Sequence, residues 1–184
     1  MPGTNLQGMK VAILVTDHFE QVELTEPKKA LEDAGATTAI VSVQGTVQGV
    51  HHAEMGDVFP VDLSLEEARP EDFDAVLLPG GALNADFLRV QPKAQDFIGR
   101  MDAAEKPIAV ICHGAWLLAS AGITRGRRMT SYHTIQDDLR NAGADWIDAE
   151  VVRDRNWVSS RQPKDIPAFN NEMIALFAET RQRP

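Results

Sequence analysis

Four stretches of the chain are apolar without alternating polar positions. They cover residues 10–16, 37–43, 75–78 and 107–111, and Val, Ile, Leu and Ala dominate them. Strands that are buried on both faces have this pattern, and such strands belong to parallel sheets covered by helices. The pattern therefore predicts four central strands in a parallel sheet.

Apolar residues at helical spacing lie between and after these strands. They predict helices over residues 26–34, 92–104 and 166–180, and a short helix near residues 64–67 that begins with a capping box. Residues 44–50 and 151–159 each combine turn residues with β-rich segments, which predicts two hairpins. The alternation favours an α/β fold that is doubly wound, with a mostly parallel sheet sandwiched by helices.

The size and composition of the chain fit one soluble domain. It has 184 residues, 43% hydrophobic and 24% charged, and no apolar run approaches the roughly 20 residues that cross a membrane. Residues 1–8 lack the features of a signal peptide, so we expect a flexible N-terminal tail followed by a single domain over residues 9–184. One cysteine cannot form an internal disulfide, which agrees with a cytoplasmic location.

The charge of the chain argues against nucleic acid as a partner. Its net charge is −9 and its pI is near 5.0, whereas binding to a phosphate backbone needs a basic face. The only basic cluster, formed by Arg125, Arg127 and Arg128, is expected to be solvated surface.

The only cysteine follows the fourth apolar stretch, in the sequence Ile111-Cys112-His113-Gly114-Ala115. A strand that turns directly into a helix projects one side chain into a cleft, beside the unpaired N–H groups of the first helical turn. Such a nucleophile elbow favours a thiolate at Cys112. The alternative is that Cys112 is a small buried hydrophobe, as free cysteines often are.

The groups around this thiol follow from the same topology, because loops at the carboxyl ends of parallel strands converge on one cleft. The backbone N–H groups of Gly81 and His113 are expected to hold an oxyanion, with Gly80 allowing close approach of the backbone. The His113 side chain is expected to point away from the thiol. Either Glu20 or Glu23 is expected to be the acid near the sulfur, with a pKa raised by burial.

No cofactor or metal is indicated. The chain lacks the glycine patterns of dinucleotide and nucleoside triphosphate sites. His51 and His52 are consecutive, so in an extended strand they point to opposite faces and make a poor chelate.

Several motifs together resemble the PfpI family, the intracellular protease-like and deglycase branch of the ThiJ/PfpI superfamily. The resemblance covers about residues 9–177. The motifs are, in order, Asp17-His18-Phe19-Glu20-Gln21-Val22-Glu23-Leu24, Leu77-Leu78-Pro79-Gly80-Gly81, Ala109-Val110-Ile111-Cys112-His113-Gly114, Arg125-Gly126-Arg127, Thr130-Ser131-Tyr132, Asp137-Asp138 with Asn141-Ala142-Gly143, and Trp157-Val158-Ser159-Ser160-Arg161.

The resemblance implies a flavodoxin-like or class I glutamine amidotransferase-like fold and assigns roles to particular residues. Cys112 would be the nucleophile, and Glu20 the carboxyl that touches its sulfur. Asp86 would pair with His113 of a neighbouring subunit, in a dimer or higher oligomer, and Tyr132 would lie near the site. Trp116 departs from the family, since Ala115-Trp116 replaces a frequent Pro-Gln and would place an indole near the substrate pocket.

Three functions are compatible with this resemblance. The favoured one is a stress-response enzyme whose Cys112 thiolate acts on methylglyoxal or on glycated protein, as a glyoxalase III or deglycase. The second is an oxidant-sensing or chaperone-like protein in which Cys112 is oxidised. The third, an intracellular cysteine peptidase, lacks a well-placed base and an extended substrate groove.

Overall fold

A computed structural model of the chain describes residues 5–181. The strands are β1 (Lys10–Leu14), β2 (Phe19–Glu20), β3 (Thr37–Ser42), β4 (Thr46–His51), β5 (Glu54–Pro60), β6 (Leu63–Ser64), β7 (Ala75–Leu78), β8 (Ile108–Ile111), β9 (Arg128–Met129), β10 (Asp145–Trp146), β11 (Val151–Asp154) and β12 (Trp157–Ser160). The α-helices are α1 (Gln21–Asp33), α2 (Ala82–Arg89), α3 (Pro92–Ala103), α4 (Trp116–Ser120), α5 (Gln136–Asn141) and α6 (Ile166–Arg181).

Seven strands form the central sheet, in the order β11-β12-β8-β7-β1-β3-β6. All neighbours pair in parallel except the antiparallel edge pair of β11 and β12. Alternate residues of β1 enter opposite cores: Val11 and Ile13 pack with α1 and α6, and Ala12 and Leu14 pack with α3 and α4. Burial on both faces explains why the central strands lack polar alternation, and the doubly wound α/β fold is confirmed.

Most of the expected elements are present, with shifted boundaries. Helix α1 begins at Gln21, five residues earlier than expected, and accommodates Pro27 in its interior. The prediction of a helix near residues 64–67 is wrong. Ser64 and Glu67 do bond reciprocally, at 2.7 Å and 3.3 Å, but they close a turn that does not continue into a helix.

The first hairpin is longer than the sequence indicates and lies outside the central sheet. Strands β4 and β5 pair in antiparallel orientation, and β2 adds to β4 to form a separate three-stranded sheet. The second hairpin, β11 and β12, is confirmed, and β12 also extends the central sheet beside β8.

The segment before β1 is not a loose tail where the structure describes it. Leu6 is fully buried, its N–H donates to Ala34 O at 2.8 Å, and Arg181 Nη1 donates to Asn5 O at 3.4 Å. The buried Leu6 side chain and these two hydrogen bonds tie the segment to the C-terminal ends of α1 and α6. The remainder of the expected tail, residues 1–4, lies outside the described residues.

The basic cluster is not all solvated surface, because Arg127 is only 4% exposed. Its guanidinium lies 3.8 Å from the centre of the Trp157 ring and pairs with Asp102 at 3.3 Å and with Asp154 at 3.0 Å. Buried charges need such partners. Arg127 therefore has a structural role against Trp157 of β12, while Arg125 and Arg128 are exposed.

Within residues 5–181, no helix is both long enough and apolar enough to span a membrane.

Candidate active site

The chain turns sharply at Cys112, as expected for a nucleophile elbow. Strand β8 ends at Ile111, Cys112 has φ of +61°, and a 3-10 turn over Cys112–Ala115 leads into α4. A non-glycine residue in this left-handed region is strained, and such strain occurs often at functional sites. The Cys112 side chain is 7% exposed, so the thiol is held at the base of a cleft.

Two glycines allow the elbow to approach the end of β7. A Cβ atom on Gly114 would lie 2.7 Å from Leu78 O, and one on Gly80 would lie 2.6 Å from both Cys112 Cβ and Glu23 Oε1. The backbone N–H groups of Gly81 and His113 donate toward the Cys112 sulfur. These are the two groups that the sequence indicated as oxyanion donors.

The carboxyl group beside the thiol belongs to Glu23. Glu23 lies in the first turn of α1, fully buried, and its carboxyl faces the Cys112 thiol and the Gly80 backbone. Within residues 5–181, neither oxygen finds a partner at standard hydrogen-bond geometry. Burial, together with the charge of nearby Glu20, raises the pKa of Glu23 to about 8. At neutral pH this carboxyl is therefore largely protonated and can donate to a thiolate.

Glu20 does not fill the place expected for it. Both of its carboxylate oxygens face the N–H of His52, at 3.1 Å and 3.3 Å. The correction has a simple cause: α1 begins at Gln21, so Glu23 points inward from the first turn, whereas Glu20 precedes the helix and faces the β4–β5 hairpin. Glu20 still lines the cleft that contains Cys112.

Burial also acts on the thiol. It raises the pKa of Cys112, and a charged Glu23 would raise it further, while the N–H groups of Gly81 and His113 lower it. The expectation that the elbow alone lowers this pKa is therefore corrected. Because two negative charges in contact are unfavourable, the Cys112 and Glu23 pair titrates as a unit that retains at least one proton at neutral pH.

The His113 side chain also departs from the expectation, because it turns toward the thiol. Its Nδ1 lies 3.3 Å from Cys112 Sγ, and its Nε2 lies 3.3 Å from Thr134 Oγ1. Burial, and secondly the charge of His133, lower the pKa of His113, so the ring is neutral at pH 7. With its proton on Nε2, the ring can accept the proton of the thiol through Nδ1.

Two aromatic rings hold this imidazole in place. Tyr132 stacks on it with ring centres 4.9 Å apart, and Trp116 meets it edge-on at 5.4 Å. Trp116 does not line the cleft, contrary to expectation, because its Nε1 donates to Asp138 at 2.8 Å and draws the indole toward α5. Tyr132 does line the cleft.

Asp86 does not meet His113 within one chain. It lies on α2 and lines a neighbouring cavity of about 320 Å³ with Asp17, His18 and Phe87. The expected pairing with His113 involves a neighbouring subunit, so the contacts within this chain do not test it.

The cleft above Cys112 has a volume of about 660 Å³. Sequence reasoning missed several of the residues around it. Thr134 reaches His113 because Tyr132 N–H donates to Cys112 O at 3.2 Å and draws the following turn over the elbow. No local pattern signals that contact. The other missed residues of the cleft wall are His18, Val50, His52, Ala53, Met55, Ala82, Leu83, Gln162 and Pro163.

Among the described residues, no group of three or more His, Cys, Asp or Glu side chains is arranged to hold a metal ion. The chemistry available from these side chains is that of a thiol, a protonated carboxyl, a neutral imidazole and two backbone donors.

A family model described as the DJ-1/PfpI family matches residues 9–176. The chain belongs to this family. A deglycase of Pyrococcus abyssi is 46% identical over 170 residues, which cover 92% of this chain and 99% of the relative. General stress protein 18 of Bacillus subtilis is 41% identical over 174 residues, covering 92% and 98%.

Solved structures of the family share the fold. The crystal structure of a ThiJ/PfpI domain protein from Brachyspira murdochii superposes with a TM-score of 0.85 at 25% sequence identity, covering 96% of this chain and 98% of that one. The PfpI resemblance and the fold predicted from the sequence are thus both confirmed.

Proposed function

We propose that this DJ-1/PfpI protein is a cysteine-dependent deglycase with glyoxalase III-type chemistry, acting on methylglyoxal or its adducts with thiols and amines. The observation that carries the proposal is the contact between Cys112 and the buried, protonated Glu23, beneath two backbone N–H groups and beside a neutral His113. The name deglycase of the Pyrococcus abyssi relative supports it.

The reaction begins with activation of the thiol. His113 Nδ1 takes the Cys112 proton, and the sulfur forms a bond to the aldehyde carbon while the carbonyl π bond breaks. The resulting oxyanion is held by the N–H groups of Gly81 and His113. With an adduct as substrate, the sulfur displaces the carrier thiol or amine from the same carbon, and the leaving group takes up a proton. Both routes give the same hemithioacetal between Cys112 and methylglyoxal.

Release of product needs a proton shift and water. A proton leaves the carbon bonded to sulfur and the neighbouring ketone oxygen is protonated, which gives an enediol. The former ketone carbon then takes up a proton while the hydroxyl on the carbon bonded to sulfur loses one, which gives a thioester of lactate. Water then forms a bond to the thioester carbon as the carbon–sulfur bond breaks, so that lactate leaves and Cys112 is restored. Methylglyoxal and one water balance lactate, and Glu23 and His113 move the protons.

The test is formation of lactate by purified protein incubated with methylglyoxal, and separately with its adduct on N-acetylcysteine. Lactate is expected from the protein and not from C112A. Equal lactate from both would remove the proposal. Release of peptides from a protein substrate that depends on Cys112 would replace it with the peptidase alternative.

The oxidant-sensor alternative has less support from the geometry. The raised pKa of Cys112 disfavours a thiolate in both roles, but a substrate bound in the cleft meets the thiol beside His113 Nδ1, whereas a dissolved oxidant must reach a residue that is 7% exposed.

The proposal also covers assembly and location. Leu83 and Phe87 project from α2, 64% and 50% exposed, with Asp86 between them in the sequence, and Val90 follows directly after the helix, 64% exposed. We propose that a second copy of the chain covers this surface, so that Asp86 of one subunit meets His113 of the other. A cytoplasmic location accords with the single free cysteine.

A further inference from the structure

The tip of the β4–β5 hairpin forms one wall of the cleft. His52, Ala53 and Met55 line the same space as Cys112, and the Met55 side chain is 55% exposed. This hairpin is not part of the central sheet; it is joined to β2 by the pairs Phe19 with Gly49 and Glu20 with Val50. The position of this wall therefore depends on what holds the hairpin.

Glu20 holds the tip. Its two carboxylate oxygens face the N–H of His52, at 3.1 Å and 3.3 Å. His52 has φ of +58°, and with Ala53 it forms the turn between the two strands. An L residue in this conformation is strained, and glycine or asparagine is usual in such turns. The bond to a charged acceptor stabilises a turn that the sequence itself disfavours.

Gln21 holds the other arm of the same hairpin. Its Nε2 donates to Asp57 Oδ2 at 2.8 Å, and its Oε1 accepts from Asp57 N at 2.7 Å. Gln21 is 8% exposed, and a Cβ atom on Gly56 would overlap its amide. Glu20 N in turn donates to Gly80 O at 3.3 Å, so this segment also contacts the loop that carries the Gly81 donor.

We infer that Glu20 is a positioning residue that holds the hairpin tip over the cleft and thereby sets affinity for the part of a substrate beyond the reacting carbon. The inference rests on the proposed function. Methylglyoxal occupies a small share of a cleft of about 660 Å³. The space toward His52 and Met55 accommodates the thiol or amine carrier of an adduct.

The first test compares E20A with E20Q in the full-length protein. Both variants remove the charge, but only the glutamine side chain of E20Q retains an oxygen that can accept from the His52 N–H. Amide hydrogen exchange at His52 is expected to be about tenfold faster in E20A, equivalent to about 1.4 kcal/mol, and to be nearer the wild-type rate in E20Q. Unchanged exchange in E20A would overturn the inference.

The second test measures lactate formation from methylglyoxal and from its hemithioacetal with glutathione. E20A is expected to raise KM for the larger adduct about tenfold, and E20Q substantially less, with kcat equal in the two variants. D57A, which loosens the other arm from a position outside the cleft, should raise the same KM to a smaller extent.

The outcomes separate the two proposals. Faster exchange in E20A with no change in KM for the adduct would refute the specificity role. A rise in KM for E20A with none for D57A would mean that Glu20 contacts substrate directly, which also refutes positioning. If wild-type protein forms no lactate, the proposed function fails, while the exchange comparison still decides whether Glu20 anchors the tip.

Discussion

Glu20 and Glu23 are three residues apart but have different surroundings, because α1 begins between them. Glu23 in the first turn of α1 is fully buried against Cys112, whereas Glu20, just before the helix, bonds the His52 backbone. The sequence limited the acid to these two residues, and the resemblance favoured Glu20. The choice depends on a helix boundary, and boundaries are poorly defined where Pro27 suggests a later start.

Replacement of Glu23 by Gln should alter the dependence of stability on pH. Burial raises the pKa of Glu23 to about 8 in the folded state, above the unfolded value near 4.5. The neutral form is therefore favoured by folding, and its contribution is present at low pH and lost as pH rises between these values. Between pH 5 and pH 8 the wild type should lose about 3 kcal/mol relative to E23Q.

The measurement is denaturant unfolding of wild type and E23Q at both pH values, with Cys112 replaced by Ala in both backgrounds as a control for coupling. Parallel stability curves for wild type and E23Q would show that Glu23 is not buried as a neutral acid. E23Q should also form lactate more slowly, because the amide cannot exchange a proton with the reacting groups.

At the scale of elements, the elbow depends on how closely α4 and β8 approach the end of β7. A Cβ atom on Gly114 would meet two backbone oxygens, Leu78 O at 2.7 Å and Pro79 O at 2.9 Å, and backbone atoms at the end of a strand cannot easily move. The G114A variant should therefore lose about 1–3 kcal/mol of stability through overpacking, and its Cys112 should be misplaced.

Gly99 provides a matched control for that variant. It lies in α3, and a Cβ atom there would meet nothing within 4 Å. Because alanine favours a helix over glycine, G99A should gain about 0.5–1 kcal/mol. The check is the denaturant midpoint of both variants together with lactate formation. If G114A is as stable and active as G99A, the close approach of Gly114 to the end of β7 does not contribute to stability or activity.

The same scale shows what a pattern can and cannot predict. The four central strands were predictable because burial on both faces leaves continuous apolar runs. Helix α2 was missed because it buries polar Asn84, which accepts from Thr16 N at 2.7 Å, and exposes Leu83 and Phe87. Of its apolar residues only Ala85 and Leu88 are buried, so the usual helical spacing of apolar positions is weak.

For the whole molecule, the sequence identified the reactive sulfur but not its full surroundings. The elbow, the two backbone donors and the family followed from residues close together in the chain. The Thr134 contact to His113 and the Glu20 contact to His52 join residues 21 and 32 positions apart. Contacts of this kind follow from packing, and no motif in a single sequence records them.

The exposed face of α2 leads to a prediction for the assembly. Leu83, Phe87 and Val90 are large apolar residues that are each at least half exposed, and clustered exposure of this kind often marks an interaction surface. If a second copy covers it, F87E should dissociate the assembly by burying an unpaired charge at the interface. V43E, which alters another exposed apolar residue, 43% exposed, should leave the mass unchanged.

Sedimentation or light scattering gives the mass of each variant, and lactate formation gives the consequence for the site. F87E is expected to sediment as a single chain and to lose activity, because Asp86 would then no longer reach His113 of the partner. V43E is expected to keep both the assembled mass and the activity. D86A should keep the assembled mass and lose activity alone. A wild-type protein that sediments as one chain, with F87E fully active, would mean that His113 functions without any group from a second subunit and that the contacts to Thr134 and Tyr132 suffice to orient it.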